Sequence, residues 1–362
     1  RQEQVVELPP VVAEVTEYRL ERHHCSLCGE TTEGVRPADA PKGGFGPRLM
    51  AFAAMLTGVY HISRARTVQL LRDGFGVRIS TGALSTCERR VTDALAASHG
   101  EAQRHVEAAA TRYVDATTWF SNGARAAVWV VATATVTLLA ITAQASRKAL
   151  LGLIGRVTGR VVCDRATVFN VWTGSSRQTC WAHLLRYFEA MSQRDGPSAR
   201  IGERLCTMTL AMFSLWHDFK RGELTRAALR AAIHEPRGQP EPQVFTERVR
   251  EVLTEGTTCG HLETEGTCRN LLDKHWEALW TFIEVDDVEP TNNHAERELR
   301  STVMWRQRSF GSQSERGDHF AERIGTVART LRKQQRPLHA FLVDSLETAA
   351  NGRPAPTLVL QD

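Results

Sequence analysis

Two aspartates lie in or beside segments that are otherwise apolar and rich in β-forming residues. Asp115 stands in the run Tyr-Val-Asp-Ala-Thr-Thr-Trp, and Asp164 ends the run Val-Val-Cys-Asp. Burying an ionised carboxylate costs several kcal/mol unless another group compensates its charge. A divalent cation is one such group, and two ions about 3.5–4 Å apart can hold both oxygens of a phosphoryl displacement. The alternative for each aspartate taken alone is that it caps a helix or closes a turn.

Glu296 is a third candidate acid, in the run Asn-Asn-His-Ala-Glu-Arg-Glu-Leu-Arg. One interpretation makes Asn293 the N-cap of a helix and Glu296 its capping-box partner. Arg297 and Arg300 would then crowd the first turns, where the helix dipole disfavours cations. A carboxylate between arginines also makes sense if a polyanion and a metal ion share the site, so both interpretations stay open.

Cys180 and His183 form a second group that could do chemistry. They are three residues apart, which places them on one helix face, with Arg186 one turn further. A zinc site would need a second pair of ligands, and a Cys-His nucleophilic dyad would need a third, orienting group. We expect instead that these residues support the sheet or position a phosphate.

Cys25 and Cys28 form a Cys-x-x-Cys motif followed by glycine, which is typical of a zinc knuckle. A closed tetrahedral zinc site needs four ligands, and the next cysteine, Cys87, is far away in the chain. We therefore interpret the motif as half of a zinc site whose partner pair precedes Arg1 or has been lost. A redox function is the alternative, although no strand-to-helix context supports it.

The composition is that of a globular protein with two or three domains. The chain has 362 residues, of which 42% are hydrophobic and 24% charged, which excludes disordered and collagenous classes. Eight cysteines are too few for a disulfide scaffold and no signal peptide opens the sequence, so we expect a reducing, cytoplasmic compartment.

Basic charge is concentrated near the end of the chain. The formal net charge is +4, yet residues 296–336 alone carry ten basic and five acidic residues. Only five of the 45 basic residues are lysine, and the planar fork of arginine suits phosphate. This pattern favours a segment that faces nucleic acid, with a solvated helical face as the alternative.

The periodicity predicts an α/β fold with a mixed sheet. Strands are predicted at 112–120, 127–132, 136–142 and 159–164, with helices at 146–155 and 181–192. The uncharged stretch 126–146 is long enough to form a transmembrane helix, but its valines and threonines favour two strands.

Helical spacing dominates both ends of this core. The stretch 49–74 is predicted to be helical, and Ser80 or Thr81 is predicted to cap a second helix. The two helices together have the outline of a helix-turn-helix. The region from about 196 to 284 is predicted to be helical, as is the stretch from Asn292 to 347, with a break near 310–317.

Taken together, these motifs resemble the insertion sequence 66 family of bacterial DDE transposases over residues 21–346. The resemblance rests on Asp115 followed by Trp119, on Asp164 at a strand end, and on two longer blocks. These are Cys-Trp-Ala-His-Leu-Leu-Arg-Tyr-Phe, and the Glu296 run followed by Trp-Arg-Gln-Arg-Ser-Phe-Gly-Ser.

The resemblance implies a ribonuclease H-like catalytic core with Asp115, Asp164 and Glu296 as its triad, supported by Asn292 and Asn293. It also implies an all-helical insertion in that core and a small N-terminal region that resembles a zinc knuckle and a helix-turn-helix. The expected domains are a partial zinc knuckle (1–47), a helical DNA-binding region (48–108), the first part of the core (109–195), the insertion (196–288), the helical end of the core (289–350) and a tail (351–362).

Three departures from the family pattern concern the motifs rather than the triad. Ala116 follows the first aspartate, where the family usually has an acidic or polar residue. Arg165 and Ala166 follow the second aspartate, where a Gly-Tyr pair is usual. One Cys-x-x-Cys pair is present instead of two.

The function implied by the resemblance is metal-dependent cleavage at transposon ends and strand transfer into target DNA. Asp115, Asp164 and Glu296 would bind two Mg²⁺ or Mn²⁺ ions, and zinc would bind at Cys25 and Cys28. The expected partners are terminal inverted repeats, target DNA, a second copy of the chain and helper proteins of the element. We expect the protein to act on the nucleoid and not on a membrane. The residues expected to hold DNA phosphates are Arg297, Arg300, Arg306 and Arg308. The alternative is a DNA-binding relative that no longer cuts and acts as a repressor or domesticated protein.

Overall fold

The structure is a computed structural model that describes residues 2–9, 11–37, 40, 43–155, 158–237 and 243–360. The chain forms two compact units. One comprises residues 1–101 and 307–362, and the other comprises residues 102–306. We call them unit 1 and unit 2.

The strands and helices follow one another along the chain with these bounds. The strands are β1 (Arg22–His24), β2 (Thr31–Glu33), β3 (Thr111–Ser121), β4 (Ala124–Ala132), β5 (Thr137–Thr142), β6 (Arg160–Cys163), β7 (Arg177–Thr179), β8 (Pro236–Arg237) and β9 (Gln243–Val244). The α-helices are α1 (Pro47–Gly58), α2 (Arg64–Phe75), α3 (Thr81–Ala94), α4 (Ala96–Ala108), α5 (Arg147–Ile154), α6 (Trp181–Ser192), α7 (Pro197–Lys220), α8 (Arg226–His234), α9 (Phe245–Gly256), α10 (Leu262–Asn270), α11 (Thr281–Glu284), α12 (Asn293–Ser309), α13 (Glu315–Lys333) and α14 (Leu338–Ala350).

Unit 2 is built around a mixed sheet in the order β5-β4-β3-β6-β7. β3 pairs antiparallel with β4 and parallel with β6, and β6 pairs parallel with β7. The predicted α/β class and mixed sheet are therefore confirmed. The prediction missed β7, which has only three residues and no apolar alternation.

The uncharged stretch 126–146 forms β4 and β5 and not a membrane helix. Every residue of β4 from Ala126 to Ala132 is buried, which is typical of a strand covered on both faces. None of the described helices combines the length and apolar character that crossing a membrane requires.

The region after the sheet is helical, as predicted. α7 packs on α6, while α8 and α9 pack on α7. Trp216 and Trp280 are buried, as expected for core anchors. The short antiparallel pair of β8 and β9 was not predicted, since two-residue strands leave no periodic signal.

The helices of unit 1 differ from the prediction in one place. The stretch 49–74 was predicted as continuously helical, but it divides into α1 and α2 between Val59 and Ser63, where His61 has a φ of 55°. A left-handed residue other than glycine cannot continue a helix. Ser80 is the N-cap of α3, as predicted, and accepts a hydrogen bond from the Ala83 N–H at 3.1 Å.

The long C-terminal helical stretch also divides. The predicted break near 310–317 separates α12 from α13, and a second break at Gln334–Pro337 separates α13 from α14. Within unit 1, α3 packs against α1, α13 and α14. The DNA-binding role of α2 and α3 stays a prediction.

Arg112 fixes the start of β3 to its neighbours inside unit 2. Its guanidinium is completely buried. It donates to the carbonyl oxygens of Val106 at 2.6 Å, Glu107 at 2.6 Å and Thr158 at 2.7 Å. Three acceptors from two other segments therefore depend on one side chain directly before Tyr113.

Replacing Arg112 with Leu should destabilise unit 2 by about 3 kcal/mol, because it leaves buried carbonyl groups without donors. All eight tryptophans lie in unit 2, so urea unfolding followed by tryptophan fluorescence reports on this unit. The matched control is Arg125→Leu on β4, where the arginine is exposed and the change should stay within about 0.5 kcal/mol. Equal unfolding curves for the two variants would contradict this role of Arg112.

Candidate active site

Asp115 lies in the middle of β3, where the side chain is mostly enclosed. It is paired in register with Val130 of β4, and its Oδ1 accepts the N–H of Ala116 at 2.8 Å. Burial, with smaller contributions from the charges of Asp164 and Glu296, raises the pKa of Asp115 to about 7 against the lowering by the Ala116 N–H and Arg186. The ordinary value for this group is 3.8, so the site strongly disfavours a bare negative charge.

Asp164 follows directly on β6, the parallel neighbour of β3. The register pairs Tyr113 with Val162, so Asp115 and Asp164 each lie two residues beyond a paired position. Two residues further along each strand returns to the same face of the sheet, which brings the two carboxylates together. The Asp164 Oδ1 accepts the N–H of Ala166 at 2.9 Å, and its backbone carbonyl accepts from Arg177.

Glu296 lies in the first turn of α12, and its carboxylate faces α6. Oε2 accepts from Arg186 at 3.3 Å, and Oε1 lies 3.4 Å from His183 Nδ1. Oε1 is buried and has no hydrogen-bond donor among the described residues. The capping-box interpretation is therefore wrong: neither oxygen of Glu296 bonds back to Asn293, which is already the first residue of the helix.

The position of α12 is set by Asn292, the residue before it. Asn292 is completely buried, and its Nδ2 donates to the Val114 carbonyl at 2.9 Å. Its backbone N–H donates to Cys180 Sγ at 3.1 Å. One residue therefore ties the start of α12 both to β3, next to Asp115, and to the start of α6.

Tyr113 adds a second tie between β3 and the segment that leads into α12. Its hydroxyl donates to the Asp287 carbonyl at 3.0 Å and accepts the Glu289 N–H at 3.1 Å. Burial and the charge of Glu289 raise the pKa of Tyr113, so the hydroxyl keeps the proton that this arrangement needs. Sequence reasoning missed Tyr113 because a tyrosine on a strand carries no signal beyond β propensity.

Cys180, His183 and Glu296 bring three potential metal ligands within 4.8 Å of one another. The prediction that Cys180, His183 and Arg186 share a helix face is confirmed, since both His183 and Arg186 reach Glu296. Burial raises the pKa of Cys180 to about 11, so its sulfur stays a protonated thiol that accepts from Asn292. This contact of the Asn292 N–H with the Cys180 sulfur anchors the start of α12.

The oxygens of Asp115, Asp164 and Glu296 are of the kind that Mg²⁺ and Mn²⁺ prefer. The three acids are close enough for the charges of Asp164 and Glu296 to raise the pKa of Asp115, although burial raises it more. Among the described residues, the group whose ligand atoms all lie within 4.8 Å of one another includes Glu296 but neither aspartate. The buried, undonated Oε1 of Glu296 is a further oxygen suited to a cation.

The predicted phosphate-binding arginines lie along α12. Arg297, Arg300 and Arg308 are exposed. Arg306 is partly buried and donates to the Thr118 carbonyl and to Thr117 on β3, which also fastens the far end of α12 to the sheet.

A cavity of about 380 Å³ opens beside Asp164. Its lining residues are Asp164, Arg165, Ala166, His183, Tyr187 and Asn270. Arg165, Tyr187 and Asn270 were not among the predicted site residues. The only sequence signal for them is that Arg165 and Ala166 stand where the resembled family has Gly-Tyr.

The Cys25 and Cys28 motif lies at the turn of the β1–β2 hairpin in unit 1. The Cys25 N–H donates to the Glu30 carbonyl and the Gly29 N–H donates to the Cys25 carbonyl. Backbone N–H groups of Cys28 and Leu27 lower the pKa of the Cys25 thiol, which favours the thiolate that a metal requires. Zinc binding by Cys25 and Cys28 stays a prediction.

Comparison with known proteins gives one family. The family model described as "Transposase IS66 family" matches residues 42–319, which include Asp115, Asp164 and Glu296 but not Cys25 and Cys28. No curated protein and no solved structure matches the chain.

Asp115→Asn should change the pH dependence of stability in metal-free buffer. The folded pKa of Asp115 is raised above its unfolded value, so its protonated form stabilises the fold at low pH. That stability is lost as pH rises toward the folded value of about 7. Between pH 5 and pH 8, the free energy of unfolding of Asp115→Asn should therefore rise relative to that of the wild type by on the order of 2 kcal/mol.

The measurement is urea unfolding of both proteins with EDTA at pH 5 and pH 8. Asp195→Asn, at an exposed position after α6, is the matched control and should follow the wild type. Added Mg²⁺ should remove the advantage of Asp115→Asn at pH 8. If the free energies of unfolding of the wild type and Asp115→Asn changed with pH in the same way, the surroundings of Asp115 would not favour its neutral form.

Proposed function

The chain belongs to the transposase IS66 family, and from this membership we propose that it cuts DNA at transposon ends and joins the freed ends to target DNA. Asp115, Asp164 and Glu296 are its catalytic carboxylates in this proposal. The observation that supports it is the buried Asp115 carboxylate, whose pKa is raised to about 7 by burial and, to a smaller extent, by the charges of Asp164 and Glu296.

The carboxylates would hold two Mg²⁺ or Mn²⁺ ions. The chemistry that such a pair supplies is activation of a water molecule and stabilisation of both oxygens of an in-line displacement at phosphorus. Asp115 and Asp164 are held on neighbouring strands, so their separation is set by the sheet. Glu296 is held on a helix whose start is fixed by Asn292. Rigid placement of the ligands is what such a reaction requires of the protein.

Arg186 and His183 would act on the reacting phosphate from α6. Both side chains contact Glu296, so they lie within one side-chain length of the carboxylate cluster. When Glu296 turns its oxygens to a cation, the Arg186 guanidinium becomes a donor for a non-bridging phosphate oxygen. This assignment gives a physical reason for the Cys-x-x-His-x-x-Arg spacing on one helix face.

DNA would lie along the exposed face of α12. Arg297 and Arg300 project from the turns that follow Glu296, and Arg308 lies near the end of the helix. Contacts of this kind bind phosphates without reading sequence and make affinity fall steeply with salt. Recognition of the terminal repeats would fall to α2, α3 and the Cys25–Cys28 hairpin, and cutting two ends together would require at least a dimer.

A DNA-binding relative that does not cut is the second candidate. Ala116 beside the first aspartate and the single Cys-x-x-Cys pair favour it, because both depart from the resembled pattern. This candidate predicts specific binding of end-containing DNA without any Mg²⁺-dependent nick.

Asp164→Asn should abolish metal-dependent cleavage. The substrate is a labelled duplex that contains the DNA flanking the coding sequence, incubated with Mg²⁺ or Mn²⁺ and analysed on a denaturing gel. Losing one carboxylate from the cluster removes charge that holds the cations, so we expect the cleavage rate to fall about a hundredfold or more. A target plasmid in the same reaction should yield joined products with the wild type only.

The control for this experiment is Asp195→Asn, which should cut and join like the wild type. Binding of the duplex by Asp164→Asn should persist, which separates lost chemistry from lost folding. Equal cleavage by the wild type and Asp164→Asn would remove Asp164 from the catalytic group. Cleavage without joined products would restrict the function to a nuclease.

A further inference from the structure

The cavity beside Asp164 has one wall that the carboxylate chemistry does not use. This wall consists of Arg165, Tyr187 and Asn270, which come from the end of β6, from α6 and from the end of α10. The volume of about 380 Å³ is within the range of pockets that bind small organic groups. A metal ion with its oxygen ligands would not need this wall.

The Arg165 guanidinium is held flat in this wall by two neighbours. Its Cζ lies 4.3 Å from the centroid of the Tyr187 ring, and its Nη1 donates to Asn270 Oδ1 at 3.2 Å. The Arg165 Nε is buried and has no acceptor among the described residues. The wall therefore presents a planar cation and an aromatic ring, with the Nε donor of Arg165 buried behind them.

The segment that carries Asn270 is itself anchored to the sheet. A π-helical turn, Leu271–His275, follows Asn270 directly, and such turns are frequent at functional sites. The His275 Nδ1 lies 3.3 Å from Thr179 Oγ1 on β7. The helical region thus contributes a fixed residue to a cavity that also contains Asp164.

The charges around the cavity favour a neutral planar ligand over a free anion. The Asp164 carboxylate lies in the lining itself and repels a phosphate placed there. The Arg165 guanidinium, in contrast, is already engaged by Tyr187 and Asn270. A nucleobase stacks on aromatic and guanidinium planes and offers polar groups along its edge to an amide side chain such as that of Asn270.

We propose that this cavity is a nucleobase subsite that takes one unpaired base of the DNA next to the phosphate at Asp164. Tyr187 and Arg165 stack with the base, and Asn270 contacts its edge. An enzyme that acts on duplex ends lowers its cost of separating strands when an extruded base has a pocket to enter. The subsite rests on the proposed function only in that it supposes DNA to lie at the carboxylates.

The test compares two DNA probes that differ in a single unpaired nucleotide. Both are duplexes of the same sequence with a one-nucleotide 3′ overhang, which carries 2-aminopurine in one probe and an abasic residue in the other. Because their phosphates are identical, the ratio of the two Kd values measures the base alone. Ca²⁺ replaces Mg²⁺, and a gel verifies that both probes stay intact.

The wild type should bind the 2-aminopurine probe about tenfold more tightly than the abasic probe, with quenching of the 2-aminopurine fluorescence on stacking. Tyr187→Phe should keep this ratio because the ring remains. Tyr187→Ala should bring it to within about twofold of one while leaving the Kd of the abasic probe unchanged. Tyr187 is 46% exposed, and circular dichroism checks the fold of each variant.

Phe120→Ala is the matched control, since Phe120 is an exposed aromatic residue of β3 (38% exposed) that does not line the cavity, and it should keep the wild-type ratio. Equal binding of both probes by the wild type would overturn the subsite, as would a preference that survives Tyr187→Ala. The measurement involves no cleavage, so its outcome is independent of the cleavage assay. A chain that prefers the base yet never cuts contradicts the proposed function alone, and a chain that cuts without this preference contradicts the subsite alone.

Discussion

The proposed site depends on the burial of the Asp115 carboxylate in unit 2, close enough to Asp164 and Glu296 for their charges to act on it. The parallel pairing of β3 with β6 puts Asp115 beside Asp164, and in the part of the chain that the structure describes no arginine or lysine donates a hydrogen bond to either carboxylate. Glu296 completes the cluster from α12, where Arg186 and His183 offset part of its charge. A group of uncompensated carboxylates would lower stability at neutral pH. Bound cations would compensate this charge, which explains why the fold keeps the carboxylates in these positions.

The surroundings of the cluster are built to resist that repulsion. Asn292 uses its side chain and its backbone to join α12 to β3 and to Cys180, and Arg306 fastens the same helix near its other end. Each of these ties connects segments that are far apart in sequence. The carboxylates therefore cannot relax by a small shift of one helix, and their geometry is set before any ligand arrives. That is the property which catalysis by preorganised charge requires.

Sequence reasoning recovered the features that have local signals. Four of the five strands of the central sheet and the bounds of α6 follow from β-branched runs and helical periodicity, and the acids stood out against apolar surroundings. The predictions were wrong where contacts between residues far apart in the chain determine the structure. Glu296 has the spacing of a capping box, yet its carboxylate turns to α6, which is over a hundred residues away in the chain. The break at His61 depends on one left-handed residue, and Asn270 reaches the cavity only because a π-helical turn anchors it. No periodic pattern encodes such contacts.

The most direct test of the central claim is a crystal structure of unit 2 within the full chain, grown or soaked with Mn²⁺ and measured for anomalous scattering. The account predicts two manganese peaks, with oxygens of Asp115, Asp164 and Glu296 within coordination distance of them and the Cys180 sulfur uncoordinated. Peaks at Cys180 and His183 without either aspartate, or a map without manganese at the three carboxylates, would contradict it.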